Sequence, residues 1–331
     1  VMFSRLYHFQ HTFNVRKYLD AVDETIALQK VYGTPSDVSM TVGCGVVALV
    51  CAGQFDRVRS LHAEVMPLAT TFGDVGTAAQ LELFDGIVDT AKGDFSRSRD
   101  RQKKVVDMFH ESGMPWTSAV IATRASPAIL TGDWETAEAE LLQAIDEAVD
   151  CPTFEGLETC QLLYLRTMMG DPRANALLDR HEAILPVRGR LNSVGSHHME
   201  LLWVESAALL GHDERAARRY DSVVDLLKRD TVTCYYPMLI ERIAGIAAMA
   251  GRRYKIAQAH FEASLAQAST LSFVNELGDT RRWHAMMLLR RQAPGDHETA
   301  HTLLREAIAV YQRHGMAKHE KMAQQLLDGS Q

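Results

Sequence analysis

Fourteen histidines and five cysteines are where metal or nucleophile chemistry would be sought first in this chain. His8 and His11 stand three apart on one helix face, His197 and His198 are adjacent, and His314 and His319 bracket a loop. A zinc site needs a second ligand pair to close its tetrahedron, and none of these pairs meets one at ligand spacing. The expectation is surface or helix-end histidines, no metal and no cofactor. Cys44, Cys51, Cys151, Cys160 and Cys234 contain no C-x-x-C spacing and lie mostly in apolar helical stretches. That pattern predicts reduced, buried thiols in a cytoplasmic protein. Cys44 and Cys51 can share a helix face, but their separation along it is about 10 Å, too long for a disulfide.

Catalytic and nucleotide motifs are absent from the sequence. It holds no G-x-x-x-x-G-K-S/T loop, no G-x-G-x-x-G, no G-x-S-x-G elbow and no H-E-x-x-H. GCG from Gly43 follows no strand and reads as small residues that let helices approach. Charges inside apolar stretches are more informative. Glu205 lies in LLWVESAALL, and Glu241 and Arg242 lie in MLIERIAGIAAM. A buried charge needs a partner, so these residues either pair between helices or face an open groove. Arg281 and Arg282 precede Trp283 and suit either a carboxylate or phosphate grip or a solvated helix flank. The basic segment RSRDRQKK from Arg97 spreads its charge around a helix and reads as a solvated face. A DNA-contacting helix is the weaker option there, because no recognition-helix frame surrounds it.

The elements that must position these residues are helical. The chain has 331 residues, 47% hydrophobic and 23% charged, which suits a packed protein and not a disordered one. Only 9 prolines and 21 glycines are present, too few for a turn-rich β protein. Its 42 acidic against 35 basic residues argue against coating nucleic acid or an anionic membrane. No apolar run reaches the roughly 18–20 residues of a membrane span, and no signal-peptide pattern opens the chain. The first residues already read as mid-helix, which predicts a piece of a larger protein.

One short pattern organises the whole length. It reads GQFDRV from Gly53, GDFSRS from Gly93, GDWETA from Gly132, GDPRAN from Gly170, GHDERA from Gly211, GRRYKIA from Gly251 and GDHETA from Gly295, with Asn14 in the equivalent place of FNVRKYL. The pattern recurs about every 40 residues. Glycine permits the left-handed residue that ends a helix, and Asp94, Asp133 and Asp296 are placed to cap the next one. Phe55, Phe95 and Trp134 are placed to wedge between two helices. Ala137, Ala216 and Ala300 let the pair approach, Ala257 fits with a slip of one, and Asn175 departs. Each unit is therefore helix A, tight turn, helix B and loop, with Pro127 expected to kink its helix. The predicted fold is all-α: an α-solenoid of seven to eight helix hairpins over 1–331, curved into a right-handed superhelix, with a closing helix near 317–327.

GDWETA and GDHETA resemble the tetratricopeptide-repeat turn G-D/N-Y/F-x-x-A, although the period of that family is shorter, at about 34 residues. The longer period, and the tail LLREAIAVYQRHGMAKHEKMAQQLL from Leu303, look like the superhelical sensor region of large bacterial signalling ATPases. Those include maltose-activator-type LuxR transcription regulators and multidomain ATPase–cyclase proteins. The resemblance implies a non-catalytic interaction or sensor module that binds a protein or peptide partner, or a small-molecule effector, with nucleotide- and DNA-binding motifs elsewhere in the protein. An autonomous receptor for a peptide or small metabolite is the alternative. An α/α-toroid enzyme such as a glycosidase is the least favoured, since it needs facing carboxylates in an aromatic cleft and aromatics make up only 7%.

In tetratricopeptide-like stacks the A helices line a concave face at positions i, i+3, i+7 and i+10. That frame selects Gln80, Ser126, Tyr164, Thr167, His198, Glu205 and Glu241 as groove residues. Tyr164 would offer a stacking surface, and Glu205 and Glu241 would accept from a cationic or hydroxyl-rich ligand. Mutual pairing of these residues between helices is the competing expectation.

Overall fold

The computed structural model describes residues 2–113, 116–148, 154–190 and 192–330. Those residues form an all-α solenoid of 18 helices stacked in sequence order. The pairs are α1 (Met2–His11) with α2 (Val15–Tyr32), α3 (Pro35–Cys51) with α4 (Phe55–Phe72), and α5 (Val75–Ala91) with α6 (Phe95–Ser112). They continue as α7 (Thr117–Thr131) with α8 (Trp134–Asp146) and α9 (Leu157–Met169) with α10 (Arg173–Glu182). Next, α11 (Val194–Leu209) faces α12 (Asp213–Arg218), which continues as α13 (Tyr220–Leu227). Finally α14 (Ile240–Ala250) pairs with α15 (Tyr254–Leu271), α16 (Val274–Arg291) with α17 (Asp296–Arg313), and α18 (Ala317–Gly329) closes the array.

The first helix of each pair is the inner one. Helices α5, α7, α9 and α11 are buried almost all round, whereas α4, α6 and α8 bury one stripe. Successive inner helices also touch one another, from α3 against α5 through to α16 against α18. Helix α18 covers the apolar face that the last hairpin would otherwise expose, as a repeat array requires.

The turns follow the repeat. Gly53, Gly93, Gly132, Gly170 and Gly211 all have positive φ, from 70° to 86°. At the sixth turn the left-handed residue is Arg252 (φ 56°), while Gly251 is right-handed at φ −81°. That one-residue shift explains the slip of Ala257, which is fully buried five places after Arg252. At Gly170 the slip runs the other way: Ala174 fills the small-residue site and Asn175 is exposed. Asp94 and Asp133 cap their helices, but Asp296 instead accepts from Ala293 N (2.7 Å) and pairs with Arg291. Helix α7 runs unbroken through Pro127.

Trp134 is half-buried rather than fully wedged: its Nε1 donates to Ile129 O (3.2 Å), and Lys318 of α18 lies over the ring at 5.3 Å. Trp134→Ala is therefore expected to cost about 1.5–3 kcal/mol, below the loss for a fully buried ring. Urea unfolding checks this; a variant as stable as the parent would mean that the ring contributes no packing.

The superhelix closes on itself. Val232 N and Thr233 N donate to Cys51 O at 2.7 and 3.1 Å, Arg16 pairs with Asp230, and α18 reaches α7. The segment between α13 and α14 does not run over the surface. Thr231 and residues 233–239 are buried inside the array, with Thr233 and Leu239 in an isolated antiparallel bridge. Pro237 lies within it, between two units, and the boundary segment acts as a core element.

Candidate functional site

The seven residues of the expected groove do not gather around one open space. Tyr164, Ser126, Thr167, His198 and Glu205 are buried. The reason is the inserted segment 231–239, which fills the axis that an open concave face would leave. Tyr164 stacks edge-on against Tyr236 of that segment, with centroids 5.6 Å apart, and His198 lies 4.4 Å from Tyr235. Ser126 donates to Gln161 Oε1 (3.3 Å) and Thr167 to Leu163 O (2.9 Å). Glu241 is half-buried against His260 Nδ1 at 2.5 Å. Gln80 lines a cavity.

Glu205 belongs to a buried ionic cluster. Arg242 donates through Nη1 to Glu205 (2.7 Å) and through Nε to Glu276 (2.9 Å). Trp283 Nε1 also donates to Glu205, at 2.8 Å. Beside them Asp279 accepts from the Tyr311 hydroxyl (2.8 Å) and meets His319 Nδ1 (3.2 Å) and Arg282 (3.5 Å). Burial pushes the Asp279 carboxyl up, but His319, Arg282 and Arg242 outweigh it and hold it well below the usual range. Arg281 and Arg282 thus part company: Arg281 pairs with Glu306 on the flank, and Arg282 is interior.

The basic segment of α6 is likewise engaged. Glu82, Asp85 and Asp89 form a buried acidic row on α5. Arg101 bridges all three, Arg97 pairs with Asp89 (2.7 Å) and Lys104 with Glu82 (2.8 Å), while Arg59 of α4 reaches Asp85 and Asp89. These cations neutralise a neighbouring helix.

The histidines are not confined to surfaces and helix ends. His181, His197, His198, His284 and His319 are buried, and neither ring nitrogen of His198 has a hydrogen-bond partner among the described residues. Among the described residues no cluster of three His, Cys, Asp or Glu is placed to hold a metal. Cys51, Cys160 and Cys234 are buried free thiols, Cys44 is half-buried, and Cys151 lies outside the described residues. Burial pushes the Cys51 thiol up to about 12.

Burial and His197 push His198 down to about 3. A histidine with a depressed folded pKa binds fewer protons folded than unfolded. Its stabilising effect is complete above its unfolded value near 6.5 and is lost as pH falls toward the folded value. Against His198→Leu, the parent is expected to lose about 1.5 kcal/mol more stability between pH 6.5 and pH 5. Equal pH slopes in urea titrations of the two proteins would refute the assignment.

Inside the array lies a half-open cavity of about 160 Å³ enclosed by α1, α2, α3, α5, α6, α7, α9 and Tyr235. Phe84, Phe109, Trp116, Phe154 and Tyr235 supply aromatic walls, and Leu6, Val47, Leu83, Val120 and Leu157 the aliphatic ones. The rings form an edge-to-face chain: Phe109 to Trp116 at 6.3 Å, Trp116 to Phe154 at 6.4 Å and Phe154 to Tyr235 at 6.3 Å. The inward A-helix frame passes through Val47, Leu83, Ala119 and Leu157 of this lining, with Gln80 as its polar member here. Phe109 sits on an outer helix and Tyr235 on the inserted segment, so no single helical frame collects the rings. Gln80 is half-buried and makes no hydrogen bond to the described residues.

Among the described residues no helix is long and apolar enough to cross a membrane. Comparison with protein-family models and with curated proteins gave no match.

Proposed function

We propose that the chain is a non-catalytic sensor and interaction module of a larger bacterial signalling or transcription-regulatory protein. In this reading it takes a small effector inside the superhelix and passes its state to a protein partner or a neighbouring domain. The observation that carries the reading is the aromatic-lined cavity left between packed inner helices, whose lining holds no carboxylate, while interior carboxylates elsewhere are tied up by arginines. A tied carboxylate is a poor general acid or base, because its protonation is spent on structure. The tetratricopeptide-like turns, and the likeness to the sensor regions of maltose-activator-type regulators and ATPase–cyclase proteins, support the same reading. A stack of helix pairs is suited to recognition, since each pair touches only its neighbours and small shifts add along the array. Here the contacts between distant units, such as Val232 on Cys51, allow one end of the array to report on the other.

The test is the output of the intact gene product with and without the solenoid. Deletion is expected to abolish the regulated response while leaving basal output. A regulated response unchanged by deletion, or a turnover carried by the purified solenoid itself, would overturn the reading.

A further inference from the structure

The cavity is specific in size and chemistry. An engineered cavity of about 150 Å³ lined by Leu, Ile and Phe holds one benzene. The present one, at about 160 Å³, is of that order and is walled by Phe84, Phe109 and Trp116. Of its other polar groups, the Tyr235 hydroxyl and the Gln10 side chain are hydrogen-bonded to each other. The Tyr18 hydroxyl donates to Cys44 O, and the Thr123 hydroxyl donates to Ala119 O at 2.9 Å. The amide of Gln80 remains, with one acceptor and two donor hydrogens available toward the cavity. Water is a poor permanent occupant of a space with so few polar partners.

We infer that this cavity is a binding site for a small monocyclic aromatic ligand bearing one hydrogen-bonding substituent, a phenol-like molecule, with Gln80 reading the polar group. The ring packs edge-to-face against the aromatic walls, which reward aromatic over aliphatic occupants of equal size. Gln80 adds one hydrogen bond in a largely desolvated place, worth about five- to tenfold in affinity. The inference names the effector of the proposed sensor and rests on that reading for its biological meaning. The binding itself is measured on the purified chain and stands or falls apart from the output of the intact gene product.

Phenol and benzene are the probes, titrated by calorimetry into the purified chain. Saturable 1:1 binding of both is expected, with phenol tighter by about five- to tenfold. Gln80→Leu is expected to bring that ratio to about one while retaining benzene. Ala119→Leu, and separately Leu83→Phe, fill the space and are expected to abolish binding of both in proteins that keep their helical circular dichroism. Nuclear Overhauser contacts from bound benzene to the Val47 and Val120 methyl groups place the ligand directly in the parent, so the site is tested even where a filled variant fails to fold. Absence of saturable binding, contacts elsewhere, or a phenol preference that survives Gln80→Leu would each overturn the inference.

Discussion

Arg242→Met is expected to destabilise the protein by about 3–5 kcal/mol at pH 7, although it removes a residue that does not line the cavity. The side chain is 1% exposed and sits between Glu205 and Glu276, both fully buried. Removing the guanidinium leaves two carboxylates without their cation in a place where water cannot replace it. Trp283 Nε1 and the distant Arg282 still contact Glu205, so the loss falls hardest on Glu276. Two further results follow from the same cause. Adding Glu205→Gln and Glu276→Gln to Arg242→Met should recover much of the loss. Neutral amides need no counter-charge, and an amide oxygen at position 205 can still accept from Trp283. The single variant should also be less destabilised at pH 5 than at pH 7. Orphaned buried carboxylates have raised folded pKa values, so they bind more protons folded than unfolded, and that stability is lost as pH rises through the folded value. Urea unfolding at the two pH values decides it; a loss under about 1 kcal/mol at pH 7 would show that the cluster is not the unit described.

The repeat was readable because it is local and recurs. Gly132 and Ala137 stand at fixed offsets and need only the next helix to explain them, and Ala137 is fully buried where its spacing puts it. Even the slips are local: the turn at Arg252 moves by one and carries Ala257 with it. The segment 231–239 is not local. It occurs once, has no period, and is held by units far away in sequence, Cys51 through its carbonyl and Phe84 through Tyr235. A frame that treats each unit alike therefore leaves the axis open and assigns Tyr164 and Glu205 to a groove. Glu205 is matched by a partner, and Gln80 lines the cavity. The acidic row Glu82, Asp85 and Asp89 carried a usable signal, since its spacing of three and four puts it on one helix face opposite the basic run of the next helix.

Gly278→Val is expected to cost about 3–5 kcal/mol and to loosen the end of the array before the rest unfolds. A β-carbon at 278 would meet the Tyr311 ring, with Cζ at 2.8 Å and Cδ1 at 3.0 Å. Tyr311 cannot swing aside at small cost: it is fully buried, and its hydroxyl donates to Asp279, which also holds His319 of α18. Overpacking alone costs about 1–3 kcal/mol, and a displaced ring adds a buried acceptor deprived of its donor, for a similar amount. Both penalties act on the interface between α16 and α17 and on the cap that closes it. Amide exchange in α16–α18 should accordingly rise before exchange in α3–α7. Tyr311→Leu removes the ring edge and the hydroxyl together, so the double variant should be less destabilised than the sum of the two single ones, with a coupling of about 1–2 kcal/mol. Strict additivity, or uniform loss of protection along the chain, would mean that the close approach at Gly278 does not set the packing of the last hairpin.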